Sequence, residues 1–112
     1  MSPLRTTVLD AATGPLLQVA GNLDYTTAPR LHELLTTLTL HPDERLIIDL
    51  AHLDFCDSSG ISALIAARNH ALAHRAGIAL AAVPARTLRV LRLVGLDQVF
   101  AIHPDAETAM RT

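Results

Sequence analysis

The apolar run at residues 45–50, RLIIDL, constrains the fold of this chain more than any other segment. The run is short and nearly continuous, and it follows the turn-prone letters HPDE at residues 41–44. Such a run is typical of a central parallel strand that is covered on both faces. The segments on either side repeat their apolar residues at helical spacing, so the sequence predicts a strand between two crossover helices.

Short strands and helices alternate along the rest of the chain. The predicted strands are residues 6–10, 15–20, 45–50, 78–83 and 98–102, and the predicted helices are residues 27–40, 58–75, 84–94 and 104–111. The second helix is expected to turn Ile61, Leu64, Ile65 and Leu72 inward. The order β-β-α-β-α-β-α-β-α predicts one α/β domain over residues 1–112, with a mixed sheet of about five strands and about four helices.

Composition narrows the class of protein. Half of the residues are hydrophobic, but only 3% are aromatic and Trp is absent, so the core is aliphatic and stacking surfaces for nucleic-acid bases are scarce. The formal charge of -2 gives no general attraction to nucleic acid or to anionic lipid. Arg86, Arg89 and Arg92 are interpreted as a solvated helix side rather than as a binding strip.

Cysteine and histidine usage predicts neither an intramolecular disulfide nor a metal site. The single Cys56 cannot form an intramolecular disulfide and is expected to pack as a small apolar residue. We see no signal-peptide segment and no apolar stretch of about 18 residues, so a cytoplasmic protein with no membrane span is expected. His70 and His74 have the spacing of zinc ligands, but no third ligand is indicated, and no metal site is predicted.

The letters DSSG at residues 57–60 leave three interpretations open where the second predicted helix begins. A Ser or Asp there can cap the helix and stabilise it by roughly 1 kcal/mol. A hydrolase nucleophile at Ser58 would need a glycine at position 56, which is Cys, and a histidine base. A phosphorylated serine would place about two negative charges where a helix start favours an anion, which would alter a docking surface without unfolding the domain.

Acidic residues are expected to gather around this junction. In α/β sheets, functional groups collect where strands deliver their carboxyl ends into loops. The loop at residues 21–24 carries Asp24, and the segment at residues 54–60 carries Asp54 and Asp57. The sequence therefore predicts that these two segments converge.

Three stretches of the chain together resemble the STAS domain, specifically the bacterial anti-sigma factor antagonists, also called anti-anti-sigma factors. They are GNLDYTTAPRLHELL at residues 21–35, LIIDLAHLDFCDSSGISALIAARNHA at residues 46–71, and GIALAAVPARTLRVLRLVGLDQVFAIHPD at residues 77–105. The signature consists of Gly-x-Leu-Asp, then Asp-Leu followed by Asp-Ser-Ser-Gly, then a late Leu-x-x-x-Gly-Leu. The resemblance implies a single STAS domain with its core at about residues 7–109.

This resemblance implies a binding protein that switches partners, with no enzyme activity and no cofactor. In such proteins the unphosphorylated antagonist binds a GHKL-type serine kinase that is also an anti-sigma factor, and the sigma factor is released. Phosphorylation by that kinase ends the interaction, and a PP2C-type phosphatase restores it. By position in the motif, Ser58 is the implied phosphoacceptor and Ser59 the second choice. Asp24, Asp57 and Gly60 complete the implied partner-binding surface, with Gly60 expected to keep the turn open.

Other duties remain open within the same fold. STAS domains also serve as partner subunits of lipid-transport ATPases and as scaffolds in stress signalling, and a small serine hydrolase is the remote alternative. The sequence leaves open the cognate kinase, phosphatase and sigma factor, the upstream signal and the oligomeric state.

Overall fold

A long second strand organises the sheet in the computed structural model, which describes residues 3–111. Within these residues the strands are β1 (Arg5–Ala11), β2 (Gly14–Leu23), β3 (Arg45–Asp49), β4 (Leu53–Cys56), β5 (Gly77–Ala81) and β6 (Ala101–His103). The helices are α1 (Ala28–Thr37), α2 (Ser58–Ala73), α3 (Ala85–Leu93) and α4 (Ala106–Arg111), and a 3-10 turn spans Leu96–Gln98.

The sheet is mixed, as predicted, with β1 antiparallel to β2 and every other pairing parallel. The strand order is β1-β2-β3-β5-β6, and β4 lies beside β2. Strand β2 has partners along both edges. Residues 16–18 pair with residues 47–49 of β3, and residues 21–23 pair with β4. Crossover helices supply the connections that parallel strands require, which confirms the predicted single α/β domain.

Strand β4 is an addition to the predicted elements, which left residues 53–56 as a loop. Leu53 is buried, but Asp54 and Phe55 are exposed, so the segment lacks the apolar run by which a central strand is predicted. It forms because β3 leaves the last residues of β2 unpaired, and β4 satisfies their backbone groups instead. The final strand also lies later than predicted, since residues 96–98 form the 3-10 turn.

Burial on both faces explains the apolar run that predicted β3. Ile47 and Ile48 are both fully buried, on opposite faces of the sheet. Ile48 belongs to the main core with residues of the first three helices, including Leu64 of α2 and Leu91 of α3. Ile47 belongs to a second, smaller core with Ala109 of α4. The prediction of a central strand covered on both faces is confirmed.

The buried side of α2 differs from the predicted one. Leu64 is fully buried as expected, but Leu72 is 52% exposed, and Ile61 and Ile65 are only partly buried. The residues of α2 that the fold buries besides Leu64 are Gly60, Ala63, Ala67 and Ala71. Small side chains at these positions let α2 pack closely against α1 and the sheet, which turns the larger isoleucines toward the flank of the helix.

Candidate functional site

The DSSG segment forms the amino-terminal turn of α2, with Asp57 as its cap. The Asp57 backbone is extended, and its Oδ1 accepts a hydrogen bond from the Gly60 amide at 3.0 Å. One of the unpaired N–H groups at the start of the helix is satisfied in this way. The cap interpretation therefore holds for Asp57 and leaves the hydroxyl groups of the two serines free for another role.

The two segments that were expected to converge do so through Asp57. Its Oδ2 accepts a hydrogen bond from the Tyr25 amide at 3.3 Å, and its own amide donates to the Leu23 carbonyl at 3.3 Å. Leu23 also lies opposite Cys56 in the parallel pairing of β2 with β4. Strand β4 therefore sets the register that holds the loop after β2 against the start of α2.

Asp24 stabilises its own loop. Its Oδ1 accepts hydrogen bonds from the amides of Thr26 and Thr27 at 3.0 and 3.1 Å. The Thr27 hydroxyl in turn lies 2.8 Å from the Asn22 carbonyl, to which it donates. Within residues 3–111 no hydrogen bond joins Asp24 to either serine, so its carboxylate shapes the loop beside the site through Thr26 and Thr27.

The two serines present their side chains differently. Ser58 is exposed and lies at the rim of an apolar groove between α2 and α3, whereas Ser59 is half-buried. Ser59 lines a smaller cleft of about 260 Å³ between α1 and α2, together with Tyr25 and His32. Across the described part of the chain, neither hydroxyl forms a hydrogen bond with another residue, so the more accessible acceptor is Ser58.

Gly60 is buried inside the domain. It was expected instead to keep the turn open to the active site of another protein. It is buried, and a Cβ at this position would lie 2.5 Å from Cys56 Sγ and 2.6 Å from the Leu23 carbonyl oxygen. No side chain fits in that space. Gly60 therefore acts through packing, because its missing side chain lets the first turn of α2 press against β2 and β4.

Cys56 is half-buried at the base of the groove. Burial raises the pKa of its thiol to about 11, and the neighbouring Asp57 carboxylate adds to the rise. A thiol with such a pKa is protonated at neutral pH and is a weak nucleophile. The environment is that of a packing residue, as the sequence predicts.

The geometry of a serine hydrolase is not assembled around these residues. In residues 3–111 no histidine is hydrogen-bonded to Ser58 or Ser59, and a nucleophile needs a base in that position. The rings of His70 and His74 lie 4.6 Å apart near the far end of α2, and His74 Nδ1 is 2.9 Å from the His70 carbonyl oxygen. The described chain contains no group of three or more potential metal ligands.

Comparison with known proteins decides the family. The model of a family described as "Mlab, STAS domain" matches residues 8–104. The chain belongs to the STAS-domain family. The resemblance seen in the three sequence stretches is thereby confirmed at the level of the family.

Similar STAS proteins include anti-sigma factor antagonists. The anti-sigma-F factor antagonist RsfB of Mycobacterium tuberculosis is 29% identical over 108 residues, which cover 94% of this chain and 88% of RsfB. A crystal structure of an anti-sigma factor antagonist from Mycobacterium paratuberculosis superposes with a TM-score of 0.84 at 28% identity, covering 98% of this chain and 96% of the other. The phosphorylated form of the Bacillus cell fate determinant SpoIIAA shares the fold, with a TM-score of 0.71 at 16% identity and 97% of each chain covered.

Sequence reasoning missed two features of this STAS domain near the start of α2. Tyr25 is 82% exposed beside the site, and Val90, Val94 and Leu96 form the far wall of the apolar groove. The signal for Tyr25 was its position directly after the Gly-x-Leu-Asp motif in a chain with few aromatic residues. No sequence signal pointed to the groove, because its two walls lie on helices that are distant in the chain. The described helices include none both long and apolar enough to cross a membrane.

Proposed function

We propose that this STAS protein is an anti-sigma factor antagonist that phosphorylation of Ser58 switches off. The observation that carries the proposal is the position of Ser58, the exposed first residue of α2, directly after the capping Asp57. In its unphosphorylated form the protein binds an anti-sigma factor and so releases the sigma factor. The similarity to RsfB and to the Mycobacterium paratuberculosis antagonist over nearly the whole chain supports this role.

The proposed enzymes of the cycle are a GHKL-type serine kinase, which is the anti-sigma factor itself, and a PP2C-type phosphatase. The protein is their substrate in the cytoplasm and has no catalytic part in the cycle. Ser58 suits this use because its hydroxyl is exposed and is not committed to another described residue. Asp24, Asp57 and Ser59 complete the proposed partner-binding surface, and Gly60 contributes by its packing.

Phosphorylation of Ser58 changes charge rather than fold. The phosphoryl group brings about two negative charges to a helix start, where unpaired N–H groups and the helix dipole favour an anion. The same group stands directly after Asp57, whose two carboxylate oxygens are already occupied by the Gly60 and Tyr25 amides. The domain therefore remains folded while the docking surface acquires a strongly negative spot.

The test is phosphorylation of the purified chain by its cognate GHKL kinase with ATP. We expect one phosphate on the wild type, none on Ser58→Ala and one on Ser59→Ala, which is the matched control in the same turn. A label that persists on Ser58→Ala contradicts the assignment of Ser58. A second experiment tests the antagonist role. The unphosphorylated chain is added to the complex of kinase and sigma factor, and release of the sigma factor is measured on a native gel.

A partner subunit of a lipid-transport ATPase is the second candidate, because the matching family model carries the description "Mlab, STAS domain". The two functions differ in their binding partners. Stable binding to a transport ATPase subunit from the same genome, with no binding to an anti-sigma factor kinase, would favour the lipid-transport role. Stoichiometric phosphorylation of Ser58 and sigma factor release would favour the antagonist.

A further inference from the structure

An apolar groove of about 480 Å³ lies between α2 and α3 and reaches Ser58. Ile61 and Ile65 of α2 form one wall, and Val90 of α3 forms the other with Val94, which follows the last residue of α3, and Leu96. Ser58 lies at the rim. The groove exists because α2 buries its small residues and leaves its isoleucines on the flank that faces α3.

The apolar surface continues outward from the groove along α3. Val94 is 60% exposed and Leu93 is 78% exposed, and Val90 is exposed as well. Their i, i+3 and i+4 spacing places them on one side of the helix. Single exposed apolar residues are ordinary on protein surfaces, but a contiguous set marks a binding surface.

Two arginines border this apolar surface. Arg86 and Arg89 are exposed on the same side of α3, since Arg86 precedes Val90 by four residues and Arg89 precedes Leu93 by four. Among residues 3–111 the ion pair joins Arg111 to Glu107 in α4, and neither Arg86 nor Arg89 has a carboxylate partner. A partner with acidic residues beside an apolar side chain would complement this surface in charge and in polarity.

We infer that the groove between α2 and α3 receives an apolar side chain of the anti-sigma factor kinase, with acidic residues of that kinase facing Arg86 and Arg89. This inference rests on the proposed function. A protein that brings ATP to Ser58 must cover the rim of the groove, and a stable interface buries about 800 Å² on each partner, which extends well beyond one serine. A buried apolar anchor in such a pocket supplies much of the binding energy of an interface.

The position of Ser58 then explains how one phosphate releases the partner. A phosphoryl group at the rim must keep its water, because a buried charge without partners is strongly unfavourable. An apolar side chain seated in the groove would remove that water. A phosphorylated Ser58 and an occupied groove are therefore incompatible, so the kinase leaves once it has transferred the phosphoryl group, without any change in the fold.

The test compares Val94→Asp with Leu72→Asp. Val94 and Leu72 are both exposed apolar residues. Leu72, however, lies near the carboxyl end of α2, away from the groove. Binding is measured by calorimetry against the anti-sigma factor kinase of the same genome that phosphorylates the wild type. We expect Val94→Asp to weaken binding by about tenfold or more, as for a residue at the centre of an interface, and Leu72→Asp to bind like the wild type. Val94→Ser is a milder change and should also weaken binding, but by less than Val94→Asp.

A charge reversal at Arg86 and Arg89 tests the acidic complement. The double change Arg86→Glu and Arg89→Glu should slow association several-fold at low salt, roughly the effect of reversing rim charges, whereas Arg5→Glu on β1 should not. If Val94→Asp binds the kinase as tightly as the wild type does, the groove is not the docking site. If Ser58→Asp loses binding in the same experiment, the antagonist role still stands. Failure of the wild type to bind any anti-sigma factor kinase overturns the proposed function and this inference with it.

Discussion

The backbone amide of Tyr25 donates a hydrogen bond of 3.3 Å to the carboxylate of Asp57. This contact joins the loop after β2 to the start of α2, across 32 residues of sequence. The other oxygen of the same carboxylate caps the helix through the Gly60 amide. One side chain therefore joins both segments that border the candidate phosphoacceptor, and Tyr25, whose amide makes the contact, is 82% exposed.

Replacing Asp57 by Ala should loosen this arrangement. The change removes the helix cap and the link to Tyr25, so we expect the free energy of unfolding to fall by about 1 to 2 kcal/mol. Urea denaturation measures the loss, and hydrogen exchange of the Tyr25 amide reports the link separately. Asp54→Ala, an exposed position on β4, is the control and should leave both values unchanged. Unaltered exchange at Tyr25 in Asp57→Ala would argue that the loop holds its position without the carboxylate.

Gly60→Ala should be strongly destabilising. The new methyl group would meet Cys56 Sγ at 2.5 Å and the Leu23 carbonyl oxygen at 2.6 Å. Overpacking of this kind costs about 2 kcal/mol or more. Gly77→Ala is the matched control, because a Cβ there has no neighbour closer than 4.0 Å. Thermal and urea unfolding of the two variants should differ clearly, and equal midpoints would contradict the packing role of Gly60.

Ser58→Asp should separate binding from stability. A carboxylate at the first position of α2 interacts favourably with the helix start and unfavourably with Asp57, so the free energy of unfolding should change by less than about 0.5 kcal/mol. Binding to the anti-sigma factor kinase should nevertheless weaken, because the new charge lies at the rim of the groove. Tight binding by Ser58→Asp would show that charge at this position is not the switch.

The half-buried thiol of Cys56 predicts a pH dependence of stability. The pKa of Cys56 is raised from 9.0 to about 11 in the folded protein, so the folded state holds the thiol proton more tightly than the unfolded chain does. The corresponding stability is full below about pH 9 and is lost as the pH rises toward about 11. The difference in unfolding free energy between wild type and Cys56→Ser should therefore shrink or reverse over that range. Asp57→Asn should shift the onset of alkylation of Cys56 to lower pH, since the Asp57 charge contributes to the raised pKa.

Much of the fold could be predicted because its elements are encoded locally. The continuous run at residues 45–50 indicated a strand buried on both faces, and Ile47 and Ile48 lie on opposite faces as expected. Strand β4 could not be predicted in this way. Its pairing depends on the unpaired end of β2, whose residues lie 32 or 33 positions earlier in the chain, and not on any pattern within Leu53–Cys56.

The candidate site also has features that the local sequence predicted and features that it did not. The DSSG motif and its resemblance to STAS antagonists indicated Ser58 and the cap at Asp57 from sequence alone. The buried position of Gly60 and the exposed side chain of Leu72 were not foreseen. Helical periodicity gives the spacing of side chains but not the closeness of neighbouring elements, and here α2 turns its small residues inward.

The sequence by itself determined the order of strands and helices, the aliphatic core and the serine motif at the start of α2. Each of these features depends on residues that are close to one another in the chain. Only the tertiary structure decided that Ser58 borders an apolar groove while Ser59 faces a separate cleft. The physical reason is that the walls of the groove come from α2 and α3, and their separation is set by packing on a shared sheet rather than by either helix alone.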